Sequence, residues 1–237
     1  PAMNTNMLEN PIVQDNIRKL QSYGYEIIES ASGYLACGDT GKGKLPNEQL
    51  LVDYILKYIA AEKDMQGIKV LVTAGPTMEA IDPVRFISNH STGKMGYAIA
   101  RQAMLRGADV TLVTGKVAIT PPEFVTVVPV TSAQDMYEAV TAASADQDII
   151  IKAAAVADYK PAEVSDNKIK KSDADMSIPL TRTKDILAFL GMQREEARKT
   201  DGDSRLARQI ICGFSMETQN LLENSRKKLE KKKMNCH

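Results

Sequence analysis

The sequence predicts an α/β protein built around a doubly wound parallel sheet. Short, largely apolar segments rich in β-branched residues begin at Ile68, Asp109, Val125, Asp148 and Gln209, and their length is typical of buried strands. Helical spacing of apolar residues follows most of these segments, and strands that alternate with helices favour a parallel sheet. Capping residues and glycines stand where the helices are expected to begin and end.

The first 60 residues carry a shorter pattern of the same kind. Asn10, which is followed by a proline, is expected to start a helix, and Gly24 is expected to end it. Residues 25–29 then have the composition of a strand, and a glycine-rich loop is predicted at 36–44. Asn47 is expected to cap a second helix. Because this segment is too short to close a core alone, it is interpreted as the last piece of an α/β domain.

Residues 61–67 are polar and are predicted to be a linker, and the main domain is expected at 68–237. Its predicted strands span 68–73, 109–114, 125–130, 148–154 and 209–214. Its predicted helices span 93–106, which Gly107 ends, 132–145, which Ser132 caps, a helix that starts at 185–190, and 217–233. Both ends of the chain look cut, so we expect this domain to be truncated at its carboxyl end.

Composition excludes several classes of protein. Thirty Lys and Arg residues balance thirty Asp and Glu residues, so no overall basic field points to nucleic acid. No apolar run approaches the roughly 20 residues that a membrane span needs. The three cysteines, Cys37, Cys212 and Cys236, form no Cys-x-x-Cys pair, and His90 and His237 do not group with them. A disulfide framework or zinc site is therefore disfavoured, and we expect a cytoplasmic protein with reduced thiols and neither nucleic-acid nor membrane partners.

Ligands of doubly wound sheets bind outside the carboxyl ends of the strands. The loops that follow Thr73, Ala154 and Phe214 are therefore the candidate functional regions, and long irregular stretches are predicted at 76–92 and 155–180. The first loop has neither a G-x-G-x-x-G fingerprint nor a Walker A motif. It leads to a helix that opens near Gly93, whose free N–H groups could bind a phosphate while Gly96 allows a close approach. A capped helix that packs through small residues explains the same pattern equally well.

The second candidate loop combines small residues with an acid. Residues 153–157 leave room for a flat ring, and Asp158 could hold a ribose hydroxyl or a cation. A simple turn cap before Pro161 is the more economical interpretation of Asp158. The lysines at 168–171 and 227–233 could contact phosphate, but charged runs are commonly solvated surface.

Taken together, these segments resemble bacterial phosphopantothenate–cysteine ligase, which is usually fused behind phosphopantothenoylcysteine decarboxylase. The ligase-like motifs are Ala74–Thr77, Glu79, Ile81–Arg85, Ser88–Gly96, Ala153–Tyr159, Lys168–Lys171 and Gly213–Thr218. The decarboxylase-like motifs are Pro1–Asn4 with Met7 and Ala36–Asp39 with Gly41 and Gly43. The resemblance implies a Rossmann-like ligase domain at 68–237 and, at 1–60, the C-terminal fragment of a flavodoxin-like decarboxylase domain.

The resemblance also implies a reaction. The carboxylate of 4′-phosphopantothenate attacks the α-phosphate of CTP, with Mg²⁺ present, and pyrophosphate leaves an acyl-cytidylate. The amine of L-cysteine then displaces CMP to form the amide. A homodimer through the ligase domain, and a larger FMN-containing oligomer for the full-length protein, are implied as well.

The same resemblance assigns site residues. Asn89 corresponds to the catalytic asparagine of the family and Lys168 to the lysine that acts near the nucleotide. Asp158 is expected to meet the nucleotide or its Mg²⁺. The remaining nucleotide-binding positions are Gly75, Ser91, Gly93, Ala154, Ala155, Phe214, Lys228, Lys231 and Lys232.

On the decarboxylase side, Cys37 corresponds to the cysteine that protonates the enethiol intermediate, and Met3 and Asn4 correspond to a substrate-binding motif. The catalytic histidine of that family would lie before Pro1. We therefore expect this chain not to release carbon dioxide from phosphopantothenoylcysteine.

Two other functions compete with the ligase. An NAD(P) oxidoreductase would need a glycine fingerprint after Thr73 and a Tyr-x-x-x-Lys pair, and neither is found. A nucleotide-binding fragment without turnover is favoured if truncation removes part of the site. Thr183-Lys184-Asp185 departs from the family's Asn-Pro-Asp, and residues 191–208 are predicted to be a long charged loop.

Overall fold

The computed structural model describes residues 2–171, 176–214, 232 and 234. The chain divides into two compact units, Pro1–Ala60 and Ala61–His237. Within the described residues, none of the helices has the length and apolar character that a membrane crossing requires.

The first unit consists of short elements. In chain order they are α1 (Thr5–Leu8), α2 (Pro11–Ser22), β1 (Ala31–Tyr34), β2 (Thr40–Lys44) and α3 (Glu48–Ile59). Both predicted caps are confirmed, because Asn10 accepts a hydrogen bond from Ile12 N at 2.9 Å and Asn47 accepts one from Leu50 N at 2.7 Å.

Two predictions for this unit were wrong. Residues 25–29 are irregular rather than a strand, since no described strand pairs with them and a strand needs a partner for its backbone groups. Much of the predicted glycine-rich loop at 36–44 is strand β2, which pairs antiparallel with β1. The turn between these strands holds residues 35–39.

The second unit follows an alternating order. Its described elements are β3 (Lys69–Ala74), β4 (Met78–Ala80), β5 (Phe86–Ser88), α4 (Lys94–Leu105), β6 (Asp109–Thr114), β7 (Thr126–Pro129), α5 (Ala133–Ser144), β8 (Ile149–Lys152), β9 (Tyr159–Pro161), β10 (Leu180–Arg182), α6 (Ile186–Thr200), α7 (Arg205–Arg208) and β11 (Ile210–Gly213). All five predicted strands of the main domain are present, each within two residues of its predicted bounds.

Among the described residues, five strands form one parallel sheet in the order β11-β8-β3-β6-β7. The chain builds outward from β3 in one direction through β6 and β7, and then in the other through β8 and β11. The predicted doubly wound, Rossmann-like fold is confirmed. Its switch point, where the winding direction changes, lies between β3 and β8.

The core lies between the sheet and the helices α5 and α6. Leu71, Ile150 and Ile211 from three neighbouring strands are fully buried there, together with Met136 of α5 and Leu190 of α6. Because α4 packs on β3 and β6 as well, most residues of these two central strands are buried. Ser132 and Asp135 cap α5 reciprocally, which confirms the predicted helix start.

The structure corrects three stretches of the main domain. The long loops predicted at 76–92 and 155–180 contain short antiparallel strands, β4 with β5 and β9 with β10. Residues 191–208 were predicted to be a loop, but α6 continues to Thr200 and α7 follows. The longer α6 is held by more distant residues, since Arg194 Nη1 donates to Gln209 O at 3.2 Å and Arg198 Nε donates to Ala207 O at 3.0 Å. The helix predicted at 217–233 lies almost entirely outside the described residues.

Gly96→Ala tests the close packing of α4 on β3. A Cβ at position 96 would lie 2.6 Å from Ala74 Cβ and 3.0 Å from Thr73 O. We therefore expect the free energy of unfolding to fall by about 1–3 kcal/mol in chemical denaturation, although alanine normally stabilises a helix interior by about 1 kcal/mol over glycine.

The control for this substitution is Ala98→Gly, on the exposed face of the same helix. It should lose about 1 kcal/mol through helix propensity alone. A Gly96→Ala protein that is more stable than the wild type would show that the helix and strand have room to separate.

Candidate functional site

The loops that follow β3 and β8 are bonded to each other at the switch point. Ala155 N donates to Gly75 O at 2.9 Å, and Thr77 N donates to Ala155 O at 3.2 Å, so that Pro76 and Ala155 form a parallel bridge beyond the sheet. The fully buried Thr77 hydroxyl accepts a further hydrogen bond from Ala157 N at 3.0 Å. The two loops therefore form one surface at the carboxyl edge of the sheet.

Two glycines allow helix α4 to begin against this surface. Gly75 and Gly93 both have φ of 73°, a left-handed conformation that favours glycine. A Cβ on either residue would lie 2.9 Å from Val117 Cγ1, and a Cβ on Gly93 would also lie 3.5 Å from Gly75 Cα. The N-terminus of α4 is thus brought to the switch point because neither glycine carries a side chain.

Asn89 lies exposed at this edge, directly after β5. Its Nδ2 donates to Ala155 O at 3.2 Å. Ser91 N donates to Asn89 O at 3.0 Å, and Gly93 N donates to Ser91 Oγ at 3.4 Å. The structure therefore links four predicted site residues, Ala155, Asn89, Ser91 and Gly93, through one series of hydrogen bonds.

The hairpin that carries Asn89 is anchored by a buried acid. Glu79 on β4 is 3% exposed, and its Oε1 accepts a hydrogen bond from Ala133 N in the first turn of α5 at 2.8 Å. An anion at a helix N-terminus is stabilised by the helix dipole and by free N–H groups. On the other strand of the hairpin, Ser88 Oγ donates to Thr77 O at 2.8 Å.

Asp158 lines a neighbouring cleft of about 310 Å³ at the start of α6. Its carboxylate is exposed, and its backbone oxygen accepts a hydrogen bond from Thr183 N at 3.0 Å. Among the described residues, the charged side chains of this cleft are Lys152, Asp158, Arg182, Lys184, Asp185 and Lys232. The four cations outnumber the two anions, and such a cleft favours a negatively charged ligand.

Asp185 and Lys232 form an ion pair inside this cleft, with 3.1 Å between Lys232 Nζ and Asp185 Oδ2. Burial raises the pKa of Asp185, but the hydrogen bond from Ala188 N and the contact with Lys232 outweigh it, so that the pKa lies below its ordinary value. Asp185 is therefore ionised at neutral pH, and it caps α6 in that form.

Lys168 projects from the exposed segment that leads away from β9. Among the described residues, no hydrogen bond joins its side chain to Asn89 or Asp158. Its neighbour Ile169 is bound by Asp82 and Arg85, which lie in the turn between β4 and β5. Sequence reasoning gave Asp82 no role, although an Asp two residues before the N–H groups that it binds is a known turn signal.

The other predicted nucleotide residues lie at strand ends or outside the described residues. Ala154 N donates to Thr73 Oγ1 at 3.2 Å, and Phe214 follows β11 with half of its surface exposed. Lys228 and Lys231 fall outside the described residues. Lys152 and Arg182 were not predicted, because a lysine or arginine within a strand carries no signal of its own.

A metal ion at this site would need the phosphates of a bound nucleotide to complete its coordination. In the described part of the chain, no three His, Cys, Asp or Glu side chains gather as a metal site. Mg²⁺ is commonly held by one or two carboxylates together with substrate phosphates, and the single carboxylate of Asp158 is consistent with that pattern.

The first unit gathers its own predicted residues. Asn4 Nδ2 donates to Cys37 Sγ at 3.2 Å, and the Cys37 thiol lies 3.6 Å from Asp39 Oδ2. Met3, Asn4 and Cys37 line a cavity of about 500 Å³. Met3 N donates to Gly43 O at 2.9 Å, and a Cβ on Gly43 would lie 1.9 Å from Met3 O, so that glycine is required at this close approach.

Comparison with known proteins agrees with both units. The family model described as DNA/pantothenate metabolism flavoprotein C-terminal domain matches residues 65–236, and the model described as Flavoprotein matches residues 1–60. The chain is 46% identical over 237 residues to the coenzyme A biosynthesis bifunctional protein CoaBC of Bacillus subtilis (strain 168), covering 99% of this chain and 55% of that protein.

Two further relatives support this comparison. The protein of the same name from Haemophilus influenzae is 42% identical over 234 residues, covering 99% of this chain and 56% of that protein. A crystal structure of the C-terminal domain of coenzyme A biosynthesis bifunctional protein CoaBC matches with a TM-score of 0.60 and 46% identity over 74% of this chain and 77% of that chain. The chain spans about half the length of the curated relatives it matches.

Gly75→Ala tests the packing at the switch point. The positive φ alone should cost about 1–2 kcal/mol of unfolding free energy. The contact with Val117 Cγ1 at 2.9 Å should add to that loss. Val117→Ala removes that contact. We therefore expect Gly75→Ala to cost less unfolding free energy in the Val117→Ala protein than in the wild type.

Gly67→Ala is the matched control, since Gly67 has φ of 81° and no described atom lies within 4 Å of the point that its Cβ would occupy. Denaturant unfolding of all four proteins measures the two contributions. Equal losses for Gly67→Ala and Gly75→Ala would mean that close packing at Val117 contributes nothing.

Proposed function

The chain belongs to the family of the DNA/pantothenate metabolism flavoprotein C-terminal domain, and we propose that residues 68–237 are a phosphopantothenate–cysteine ligase domain. The domain uses a nucleoside triphosphate, CTP, to join 4′-phosphopantothenate to L-cysteine. One observation carries the proposal: Asn89, Ala155 and the start of α4 meet at the switch point of a doubly wound sheet. The Bacillus subtilis relative, a coenzyme A biosynthesis bifunctional protein, supports the same pathway.

In the first half of the reaction, a carboxylate oxygen of 4′-phosphopantothenate attacks the α-phosphorus of CTP. A phosphorus–oxygen bond forms, the bond to the β-phosphate oxygen breaks, and pyrophosphate leaves. Negative charge on the α-phosphate oxygens rises in the transition state, and Lys168 and the N–H groups at the start of α4 stabilise it. When bound, Mg²⁺ offsets the charge of the triphosphate, and Asp158 would help to hold it.

In the second half, the cysteine amine attacks the acyl carbon and CMP leaves with the original carboxylate oxygen. The protein contributes mainly position, because the mixed anhydride is already reactive. Asn89 suits this role. One of its two N–H groups binds Ala155 O, so that the second N–H and the side-chain oxygen remain to orient the intermediate.

The basic cleft at the start of α6 is proposed to receive the phosphates. Lys152 and Lys232 line it, together with Asp158 from the loop that follows β8. Ala154, Ala155 and Phe214 are proposed to border the cytosine ring, because small residues at strand ends leave space for a flat group.

Residues 1–60 are proposed to be the C-terminal part of a flavin-dependent decarboxylase domain, as their family match supports. In that domain Cys37 would donate a proton to the enethiol intermediate, while Met3 and Asn4 contact the substrate. In the described residues of this unit the strands form a two-stranded hairpin, which does not offer the strand ends of a larger sheet where a nucleotide-like cofactor binds. We therefore assign no residue of this chain to FMN.

Release of pyrophosphate tests the ligase directly. The purified chain receives Mg²⁺, 4′-phosphopantothenate and either CTP or ATP, with and without L-cysteine, and the Bacillus subtilis relative is the positive control. We expect pyrophosphate release that depends on 4′-phosphopantothenate. Binding of CTP without pyrophosphate would favour a nucleotide-binding module instead, and failure to bind either nucleotide would exclude both functions.

Asn89→Asp separates the two halves of the reaction. The substitution removes both side-chain N–H donors at almost constant volume, so amide formation should fall by about 100-fold or more, while one equivalent of pyrophosphate is still released. Asn6→Asp, at an exposed position in the first unit, should leave both steps within a factor of two. Full amide formation by Asn89→Asp would remove Asn89 from the mechanism.

A further inference from the structure

A buried carboxylate lies in the turn between β4 and β5. The side chain of Asp82 has no exposed surface. Among the described residues, it accepts hydrogen bonds from five N–H groups. Burying a carboxylate is costly unless its oxygens are paired in this way, and five donors satisfy both oxygens.

The two oxygens of Asp82 bind different parts of the chain. Oδ1 accepts from Val84 N and Arg85 N, each at 2.8 Å, and so closes the local turn. Oδ2 accepts from Arg85 Nε at 2.9 Å, from Arg85 Nη2 at 2.5 Å and from Ile169 N at 3.1 Å. The last donor lies 87 residues further along the chain.

The segment around Lys168 is held by this turn at two points. Arg85 Nη2 donates to Ile169 O at 2.7 Å, so that both backbone polar groups of Ile169 are bound, one by Asp82 and the other by Arg85. Ser165 N donates to Ile81 O at 3.0 Å. Lys168 stands between these two attachments, and its exposed side chain therefore projects from a fixed backbone.

The same turn belongs to the hairpin that ends at Asn89. Strand β5 runs from Phe86 to Ser88, and Asn89 follows it directly. One short turn thus connects the segment of Asn89 to the segment of Lys168, although no hydrogen bond joins these two side chains within the described residues.

We propose that Asp82 is a positioning residue of the ligase, which holds Lys168 in place for nucleotide activation through the backbone of Ile169. This inference rests on the proposed function of Lys168. The charge of Asp82 is needed because a carboxylate offers acceptors alone, whereas an amide at this position would point its NH₂ group at N–H donors in either orientation. The hydrogen bonds from Arg85 hold the pKa of Asp82 well below its ordinary value, so the carboxylate is ionised throughout the neutral range.

A purely structural role for Asp82 would lead to different results. Loss of a structural residue would weaken folding and would reduce activity whether or not Lys168 is present. A positioning residue that acts through Lys168 should instead lose its effect once Lys168 is removed, since residues that act as one unit are not additive.

The test is a double-mutant cycle with Asp82→Asn and Lys168→Gln in the full chain. We expect Asp82→Asn to lower kcat for pyrophosphate release by about 10- to 100-fold while KM for CTP changes less than about threefold, because Lys168 acts on charge that develops in the transition state. In the Lys168→Gln protein, the same substitution should change kcat by less than about twofold.

Hydrogen–deuterium exchange supplies a readout that needs no activity. The amide of Ile169 should exchange at least about tenfold faster in Asp82→Asn than in the wild type, because an NH₂ group that faces N–H donors in either orientation weakens the turn that presents the acceptor of Ile169 N. Asp64→Asn is the matched control, since Asp64 also binds an arginine through two N–H groups, those of Arg106, and its side chain has no hydrogen bond to a site residue in the described part of the chain. It should leave kcat and the exchange at Ile169 unchanged.

Several results would overturn the proposal. They are an unchanged kcat in Asp82→Asn, an equal loss in the wild-type and Lys168→Gln backgrounds, or unchanged exchange at Ile169. If Asp82→Asn does not fold, Arg85→Gln replaces it in the double-mutant cycle with Lys168→Gln, because it removes the bond to Ile169 O and leaves Asp82 in place. If the wild type releases no pyrophosphate, the proposed function fails, and the exchange at Ile169 alone decides whether the turn holds this segment.

Discussion

The bridge between Pro76 and Ala155 is the contact on which the rest of the candidate site depends. It exists because the winding direction of the sheet changes between β3 and β8, which leaves two loops with adjacent starting points. Pro76 is also packed against the residue that follows β6, since a Cβ on Gly115 would lie 1.9 Å from Pro76 O. Ala155 O then accepts from both Thr77 N and Asn89 Nδ2, so that the backbone of one loop positions the side chain of another.

Local sequence signals were sufficient to predict three helix caps and the strands of the parallel sheet. Asn10, Asn47 and Ser132 cap helices where they were expected, and apolar β-branched segments became the strands of the sheet. Residues 25–29 were wrongly predicted to be a strand, because the local sequence does not show whether a partner strand is present. The pairing of β4 with β5 and of β9 with β10, and the helical continuation to Thr200, were missed because each depends on a partner that the local sequence does not show. Asp82 was missed for the same reason, since its distant partner is Ile169.

The family motifs identified more of the candidate site residues than residue spacing did. Spacing left Gly93 and Asp158 divided between function and simple capping, while the family resemblance selected Asn89, Ala155 and Lys168. Family membership is confirmed, and the structure brings Asn89 to Ala155 and Asn4 to Cys37. The catalytic roles of these residues, the choice of CTP and the predicted homodimer stay predictions.

In the proposed reaction, this site activates a carboxylate by attaching it to the α-phosphate of a nucleotide. Transfer of ¹⁸O from the carboxylate reports on that attachment. With both carboxylate oxygens of 4′-phosphopantothenate labelled, turnover with CTP and L-cysteine should place one ¹⁸O atom in the phosphate group of CMP. Label found in inorganic phosphate, or amide formed without any label in CMP, would contradict the account, because the carboxylate would then have been activated by another route.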